Sequence, residues 1–588
     1  MPEYLAPAVY VEETSFRSKS IEGVSTSTAA FVGPTRKGPT SGTPEIITSF
    51  GDYERMYGGF HNLEFSAGES TNFIAHAVKN FFDNGGSRLF IARVFQAAAS
   101  STGIASSSTT FDASSMRFVA RFPGAVGNGS VEVGLVLTRL DTTALDSPAM
   151  RRAPQGSVLV DGLPSFDPAD PDVLSGSLDQ YIKIGEQWLD GPDPATATAI
   201  SATPSTAAAL MSINILTRDA DGEEIFYENL GLSAGHPRYV GDILSTNPGR
   251  RIDQLQNAFA IEIGTSVDGF GLYALLDTLL NGNASVTVDL DGGDDGVMPA
   301  AAQYVTPLLS LAANDDISMV AAPGYSSYTE REGIQDALLT HVEARRAYRF
   351  AVLDVPIDQT PMAAVSIKSR IDSSYAALYH PWVVTSNPLS RPDDSSIPRE
   401  IALPPSGFVC GIFARNDNTK GVSKSPGNEI VRGALRFQTQ ISFAEQELLN
   451  PRGVNCLRFF PGRGNRLWGS RTASSDPEWK YIGPRRFFLY LEHSIDRSTQ
   501  WAVFENNGPQ LWTNIRETVS GFLYNEWRNN NLLGSTPEEA FFVRCDRTTM
   551  TQNDLDNGRL ICLIGVSVLK PAEFVVFRIG QKTADSRD

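Results

Sequence analysis

Between residues 316 and 388, short apolar runs alternate with amphipathic segments, and this pattern constrains the fold more than any other feature of the chain. The apolar runs are typical of buried strands, and the segments between them carry apolar residues at helical spacing. The pattern predicts strands Asp316–Gly324, Phe350–Pro356 and Pro381–Pro388, and helices Gly333–Arg349 and Ala363–Tyr379. Repeated strand–helix units with apolar strands favour a parallel sheet covered on both faces. The predicted class is therefore α/β (α+β overall), in a 588-residue chain long enough for several domains.

The N-terminal half changes composition partway along. Thr28–Gly33 and Arg88–Val94 are predicted strands, with a helix at Thr71–Gly86 between them. The Ser-, Ala- and Thr-rich run Ala97–Thr110 is predicted to be a linker, and the runs after it alternate with period 2. Residues 99–255 are therefore predicted to be a β-rich insertion that faces solvent, and the acidic run Asp289–Gly296 a surface turn.

The C-terminal part is basic and aromatic in an otherwise acidic chain. The whole chain carries a net charge of −18, yet residues 451–588 hold 18 Lys and Arg against 15 Asp and Glu, and five of the seven tryptophans. Gln510–Leu533 is a predicted amphipathic helix with a buried apolar stripe: Leu511, Ile515, Val519, Phe522 and Leu523. The runs AFFVRCD, RLICLIGVSVL and PAEFVVFRI are predicted strands, the second of them buried at Leu560–Leu569.

Motifs that carry chemistry are weak in this sequence. Pro461–Gly469 is glycine-rich but lacks the Lys-Ser/Thr of a phosphate loop, so a turn is favoured. Asp354 ends a predicted strand and His380 follows the next helix, but without a G-x-S-x-G or HExxH motif a packed or capping role is favoured. We therefore expect no catalytic residue, no bound metal and no cofactor. Cys410, Cys456, Cys545 and Cys562 form no CxxC pair and are expected to be reduced thiols made in a cytoplasm.

A dozen segments resemble the contractile-tail sheath proteins of phages and related injection particles, in the family's order. They include PAVYVEE (7–13), FFDNGGSRLFIARV (81–94), PGAVGNGSVEV (123–133), SSYAALYHPWVVTSNP (373–388), LNPRGVNCLRFFPGRGNRLWGSRT (449–472), TQWAVFENN (499–507) and PAEFVVFRI (571–579). Val126 stands where the family usually has an aromatic residue, and residues 100–310 match only weakly.

The resemblance implies six parts. They are an N-terminal linking arm (1–22), the first part of the core (23–98), the surface insertion (99–255), the α/β core (256–450), an inner, tube-facing domain (451–570) and a linking strand with its tail (571–588). In the family the terminal arms pair with neighbours' sheets. The residues expected to do so here are Val9, Tyr10, Val11, Phe574, Val575, Val576 and Phe577.

The resemblance also implies a function without enzymatic activity. The subunit is expected to form stacked, sixfold rings around an inner tube and to contract, driving the tube through a cell envelope. Expected partners are other copies, the tube, the baseplate and the tail terminator, with no nucleic acid and no membrane insertion. Arg516 and Arg528 are the candidate tube contacts. Assembly is expected in a bacterial cytoplasm, and the final location in a virion tail or extracellular particle. The alternative is an α/β hydrolase-like or nucleotide-using enzyme.

Overall fold

A nine-stranded, mainly parallel sheet forms the centre of the computed structural model, which describes residues 20–99, 101–140, 147–164, 178–191, 193, 195–200 and 208–577. In spatial order its strands are Ile46–Ile47, Leu89–Arg93, Ala29–Gly33, Met319–Ala321, Phe350–Asp354, Ala376–His380, Val454–Phe460, Gly464–Trp468 and Glu429–Ile430. The six strands from Leu89–Arg93 to Val454–Phe460 run parallel, and the edge strands run antiparallel to their neighbours. The predicted α/β class is confirmed.

Alternate residues of the central strands enter two separate cores, one on each face. Phe31, Phe350 and Tyr379 lie in one core, under helices Phe73–Asp83 and Ser406–Lys420. Val32 and Leu353 lie in the other, under helices that include Ala302–Leu311, Arg331–Glu343 and Pro361–Lys368. Both faces are dry, which explains why these strands read as continuous apolar runs rather than as alternating ones.

One predicted helix was wrong because of this double burial. Ala363–Tyr379 divides into helix Pro361–Lys368 and strand Ala376–His380. All five residues of the strand are buried between the two cores, and such a run cannot be told from a buried helix by its periodicity. The next run, Val383–Ser386, joins a separate antiparallel sheet with Glu400–Leu403 and Arg436–Phe437 instead of the parallel sheet.

A second, antiparallel sheet has seven strands. In the sequence these strands follow the first three strands of the central sheet and precede its other six. The seven strands are Gln187–Leu189, Asp179–Ile184, Val158–Asp161, Ala209–Arg218, Ser130–Arg139, Ser285–Asp289 and Glu224–Leu230. Beside it, Met116–Ala120 pairs with Phe259–Ile263, and the associated helices are Pro148–Arg152, Val240–Ile243, Arg251–Gln256 and Gly269–Leu280. We call this part the inserted sheet. The domain boundary predicted at residue 255 does not coincide with a break in it, because two of its strands follow that residue.

The inserted sheet begins and ends at one place. The Val297 amide donates to the Gln96 carbonyl over 2.9 Å, so the chain returns beside the point at which it left. The run predicted to be a linker packs onto this part, because Ala105 is fully buried and Ser106 exchanges backbone hydrogen bonds with Asp291. These contacts correct the prediction of a flexible linker at Ala97–Thr110.

Buried ion pairs attach the inserted sheet to the central sheet. The guanidinium of Arg36 lies 2.7 Å from Asp221 and 3.5 Å from Asp295, and the Lys37 ammonium lies 3.0 Å from Asp219. Asp295 also accepts the amides of Glu64 and Ala125 at 2.8 and 2.9 Å, and its side chain is 1% exposed. The prediction of an acidic surface turn was therefore wrong at Asp295. We call these five charged side chains the charge cluster.

Backbone contact is equally close at this junction. Gly124 has φ +147°, and a Cβ there would lie 2.1 Å from the Arg36 carbonyl oxygen, so only glycine fits. The remaining elements outside the C-terminal part are helices Phe50–Tyr57 and Phe443–Leu449, the hairpin Leu63–Phe65 with Gly68–Ser70, and 3₁₀ turns Ala125–Gly127, Tyr325–Ser327 and Asn450–Arg452.

Candidate inter-subunit surface

A small C-terminal core forms around two long helices, Ile482–Ser498 and Pro509–Arg528. The predicted apolar stripe of the second helix is confirmed, because Leu511, Ile515, Val519, Phe522 and Leu523 are all buried in this core. The other elements here are 3₁₀ turn Gln500–Ala502, helices Pro537–Ala540 and Gln552–Asp556, and strands Phe541–Arg544 and Leu563–Val566. Ile21, at the end of the predicted N-terminal arm, also packs into it, so the chain's first described residues lie against its last domain.

Strands Phe541–Arg544 and Leu563–Val566 form a two-stranded antiparallel ribbon, which we call the ribbon. One face packs on the C-terminal core through Phe541, Val543 and Val566. The other face presents Phe542 and Leu563, about half exposed. No third strand among the described residues pairs with either edge. An apolar ribbon with two open edges is a template for adding strands from another chain. The predicted burial of Leu560–Leu569 was wrong in part: Leu563 and Ile564 are exposed, and the other residues are only half-buried, five of them against the C-terminal core.

The C-terminal segment, residues 571–577, follows the ribbon and is fixed at one residue. The Glu573 carboxylate accepts two hydrogen bonds from Arg471, each 2.7 Å, and one each from Asn450 at 2.7 Å and Tyr481 at 2.8 Å. Lys480 adds a longer ion pair of 3.6 Å. Burial alone would raise the pKa of Glu573, but these hydrogen bonds outweigh it and lower the pKa to about 2. The carboxylate is therefore ionised at any ordinary pH.

Beyond this anchor the chain presents four consecutive apolar side chains to solvent. Phe574, Val575, Val576 and Phe577 are 72%, 68%, 76% and 84% exposed, and none belongs to a strand. The predicted strand PAEFVVFRI therefore does not form over residues 571–577 of the isolated subunit, and its predicted pairing with a neighbour stays a prediction. A β-branched and aromatic run that is exposed and pairs with no strand among the described residues is a candidate docking element. The other predicted linking residues, Val9, Tyr10 and Val11, lie outside the described residues.

The two candidate tube contacts lie about three turns apart on helix Pro509–Arg528. Arg516 is half-buried and lines a cavity of about 400 Å³ together with Cys545 and Asp546. Arg528 is exposed at the last residue of the helix. Twelve residues of helix separate them by about 18 Å, so the structure does not bring them into one site.

Much of the positive charge in residues 451–500 is used inside the subunit. Arg471 is held by Glu573, and Arg486 forms a buried pair with Asp417 at 2.6 Å. The buried Arg485 guanidinium lies over the rings of Tyr375 and Trp479, at 4.1 and 4.5 Å from their centroids. The basic character of this region therefore reflects internal packing as much as an outer surface.

The residues that might have indicated an enzyme are packed. Asp354 accepts the amide and hydroxyl of Ser406 at 2.8 and 2.6 Å, at the start of helix Ser406–Lys420, so the predicted capping role is observed. Burial raises its pKa to about 7. His380 is buried in the central sheet, and burial lowers its pKa to about 4. Pro461–Gly469 forms the turn and second strand of a hairpin.

Among the described residues, no cluster of three or more metal-binding side chains occurs, and no helix is long and apolar enough to span a bilayer. A cavity of about 680 Å³ lies between helices Ala302–Leu311, Arg331–Glu343 and Ile482–Ser498. Some of its polar groups are engaged with each other, because Arg346 pairs with Asp496 over two 2.9 Å hydrogen bonds and Arg349 donates to His341 over 2.7 Å.

Two family models match the second half of the chain. The phage tail sheath protein central domain matches residues 300–473, and the phage tail sheath C-terminal domain matches residues 474–582. A putative prophage major tail sheath protein of Pseudomonas aeruginosa is 25% identical over 267 residues, which are 44% of this chain and 64% of that protein. The tail sheath protein of Enterobacteria phage T4 is 24% identical over 177 residues, or 29% of this chain and 26% of the phage protein.

The chain belongs to the contractile-tail sheath family. Its matches span less than two thirds of the length of either relative. A cryo-EM structure of the contracted helical sheath of the anti-feeding prophage is 18% identical, with a TM-score of 0.52 over 99% of this chain and 100% of that one. At this identity the likeness concerns the fold, and it extends through the inserted sheet, where sequence resemblance is weak.

Proposed function

We propose that this chain is a structural subunit of a contractile sheath, which polymerises as stacked rings around an inner tube and contracts to drive that tube through a target cell envelope. Membership of the sheath family supports the proposal. So does the fold likeness to a sheath that was itself determined as a helical assembly. The rings would be sixfold, as the family resemblance implies.

The observation that carries the proposal is that one subunit has two complementary surface features, an exposed apolar segment and the ribbon. The C-terminal segment offers four exposed apolar residues, Phe574–Phe577, that pair with no strand in the described part of the chain. The ribbon offers an apolar outer face and, as far as the described ranges show, no third strand pairs with it. If the segment of one copy adds to the ribbon of another, both are satisfied at once. Each backbone hydrogen bond formed contributes about 1 kcal/mol net, so several per link give a strong but deformable mesh.

The anchor at Glu573 suits this role. The carboxylate is bound by Arg471, Asn450 and Tyr481. A force on the segment beyond it would therefore be transmitted to the central sheet and would not simply extend a loose tail. The N-terminal residues Val9, Tyr10 and Val11 are proposed to add to a neighbour in the same way. Two links per subunit would connect each ring to its neighbours.

Contraction in this scheme needs no nucleotide. The free energy would come from additional burial between subunits, at about 25 cal/mol per Å² of apolar area. We propose accordingly that the subunit is not an enzyme. The proposed partners are other copies, the inner tube, the baseplate and the tail terminator, in a virion tail or an extracellular particle assembled in a bacterial cytoplasm.

The experiment that tests the proposal compares two C-terminal truncations with the full chain. A chain ending at Glu573 retains the anchor and loses only the exposed segment, whereas a chain ending at Lys570 loses both. Both should remain soluble and folded by circular dichroism, and neither should form the rods or tubes that negative-stain electron microscopy is expected to show for the full chain. Deletion of residues 1–20 should have the same effect. Full-length contractile sheaths from the chain ending at Glu573 would overturn the linkage.

The enzyme alternative makes the opposite prediction for the same sample. The full chain would then be a monodisperse monomer that binds or hydrolyses ATP or an ester substrate. Rods without such activity support the sheath subunit, and a monomer with measurable turnover would refute it.

A further inference from the structure

Two of the four cysteines face each other across the ribbon. Arg544 pairs with Leu563 in the antiparallel register, so the next positions outward, Cys545 and Cys562, are directly opposite. Both side chains project toward the C-terminal core, on the same face as Val543. The two thiols are within hydrogen-bonding reach of each other, and both are free.

This placement meets the geometric requirement of a disulfide. Directly opposed residues of an antiparallel pair have Cα atoms about 4.5–5.5 Å apart. A disulfide needs about 4.4–6.8 Å, with both Cβ atoms on the same side. The other two thiols are buried apart from each other on opposite faces of the central sheet, Cys410 on a covering helix and Cys456 on a strand. The ribbon therefore places two cysteines at a spacing and orientation that suit a disulfide.

The pair also borders an opening to solvent. Cys545 lines the cavity of about 400 Å³ together with Arg516 and Arg547, while Cys562 is partly exposed. The Asp546 carboxylate also lines this cavity, but the two guanidinium groups leave the lining with a net positive charge, which favours the approach of an anionic oxidant such as oxidised glutathione. Burial raises the pKa of the Cys562 thiol to about 12, so little thiolate is present at neutral pH and closure is expected to be slow.

We propose that Cys545 and Cys562 form an intramolecular disulfide once the protein leaves a reducing cytoplasm and meets a small disulfide oxidant. The thiolate of Cys562 attacks one sulfur of oxidised glutathione, forms a mixed disulfide and releases one glutathione thiolate. The deprotonated Cys545 then attacks the Cys562 sulfur and releases the second glutathione. Two protein thiols are oxidised to one disulfide, one glutathione disulfide is reduced to two thiols, and the protons pass to solvent.

The bond would fix the ribbon's register at the open end of its two strands and close the loop that contains helix Gln552–Asp556. In the cytoplasm the ribbon would stay reduced and able to adjust. If the ribbon receives neighbours' arms, which rests on the proposed function, the bond would stabilise the finished particle against unfolding of that joint. The disulfide itself depends only on the register and can be tested on free subunits.

The test maps thiols in the full-length protein. Subunits are incubated with oxidised glutathione at mildly alkaline pH, trapped with N-ethylmaleimide under denaturing conditions and analysed by peptide mass mapping without reductant. The expected product is a Cys545–Cys562 cross-linked peptide, with alkylatable thiols falling from four to two while Cys410 and Cys456 remain alkylated. C545S and C562S should each abolish the intramolecular product, and C456S should retain it.

The opposite results are equally definite. Four alkylatable thiols after prolonged exposure, or disulfides that join other pairs or separate chains, would overturn the proposal. The folded state of each variant is checked by circular dichroism, and C562S, which alters the more exposed partner, serves if C545S does not fold. Because thiol mapping needs no polymerisation, a negative result would leave the sheath proposal unaffected. Equally, a failure to form rods would not affect the disulfide proposal.

Discussion

The inserted sheet and the C-terminal segment are both attached to the central sheet by ion pairs, but in different ways. The insertion is fixed by the charge cluster, in which Arg36 and Lys37 meet three carboxylates in the interior. The C-terminal segment is fixed by the single carboxylate of Glu573, at the edge of the subunit. The first attachment joins two sheets through buried ion pairs, whereas the second holds the start of a segment whose apolar side chains are exposed. The two attachments therefore differ in the number of charged groups that the attached part contributes: three carboxylates from the inserted sheet and one from the C-terminal segment.

The largest effect is expected from cutting the insertion at two different places. Replacing residues 99–255 by a Gly/Ser linker leaves Phe259–Ile263 and Ser285–Asp289 without the strands they pair with. That chain should aggregate. Replacing residues 97–296 instead joins Gln96 to Val297, which are already hydrogen-bonded over 2.9 Å, and removes the whole body together with its carboxylates. This chain should fold and, if the insertion makes no lattice contact, should still form rings.

Soluble yield, circular dichroism and negative-stain images of the two excisions decide this comparison. The domain limits 99–255 stand if that chain is the one that folds. A folded 97–296 excision that forms no rings would instead assign lattice contacts to the inserted sheet.

A smaller but still large effect is expected at the charge cluster itself. Arg36→Met removes the cation and leaves the carboxylates of Asp221 and Asp295 buried without it, which costs about 3–5 kcal/mol. The matched control, Arg250→Met, breaks an ion pair with Asp253 in which the arginine is 78% exposed, and should cost about 0–1 kcal/mol. Urea unfolding measures both. Equal effects of the two substitutions would mean that the cluster does not fasten the insertion.

The charge cluster also marks the limit of prediction from this sequence. Local periodicity was enough for the buried stripe of helix Pro509–Arg528 and for the strand–helix alternation of the core, because those patterns repeat within a few residues. Arg36 and Asp295, by contrast, are 259 positions apart, and their pairing exists only after two bodies have docked. No spacing rule finds such a contact.

The same limit applies to the candidate linking site. The sequence predicts that the run Phe574–Phe577 is apolar and β-prone. A single sequence does not distinguish burial of such a run within its own subunit from pairing with a neighbouring subunit. Glu573 gives only a faint signal, a lone carboxylate within PAEFVVF, and its partner Arg471 lies 102 positions earlier. Cys545 and Cys562 are likewise unremarkable until the ribbon's register is known.

An intermediate effect is expected at the anchor. Glu573→Gln keeps the shape but loses the charge-assisted bonds to Arg471, which costs about 1.5–3 kcal/mol at neutral pH. Because the pKa of Glu573 is lowered to about 2, its contribution is present above about pH 4.5 and is lost as the pH falls from there toward 2. The difference between wild type and variant should therefore shrink as the pH falls below about 4.5. The exposed Glu505→Gln provides the control.

Unfolding curves across that pH range measure the effect, and sheath formation at neutral pH gives a second readout. Rods of normal length and a pH-independent difference would show that Glu573 anchors nothing.

The smallest effect on stability is expected at the surface proposed to meet the inner tube. Arg528 is exposed at the end of its helix, whereas reversal of Arg516 would also place a carboxylate beside Asp546. Reversal of either charge should lower co-assembly with tube at low salt, but only Arg528→Glu leaves the neighbouring cavity unchanged. Its own cost to the helix terminus should be about 0.3–1 kcal/mol. Arg528→Gln separates loss of attraction from repulsion.

Contacts of this kind are expected to be weak, at about 0–1 kcal/mol each, so that contraction can break all of them. Co-sedimentation with tube at two ionic strengths measures the effect, because added salt should erase the difference between Arg528→Glu and wild type. Polymerisation without tube should be unchanged. Equal loss of tube binding and of tube-free polymerisation would instead make Arg528 a contact between sheath subunits, and unchanged tube binding would move the contact elsewhere in the domain.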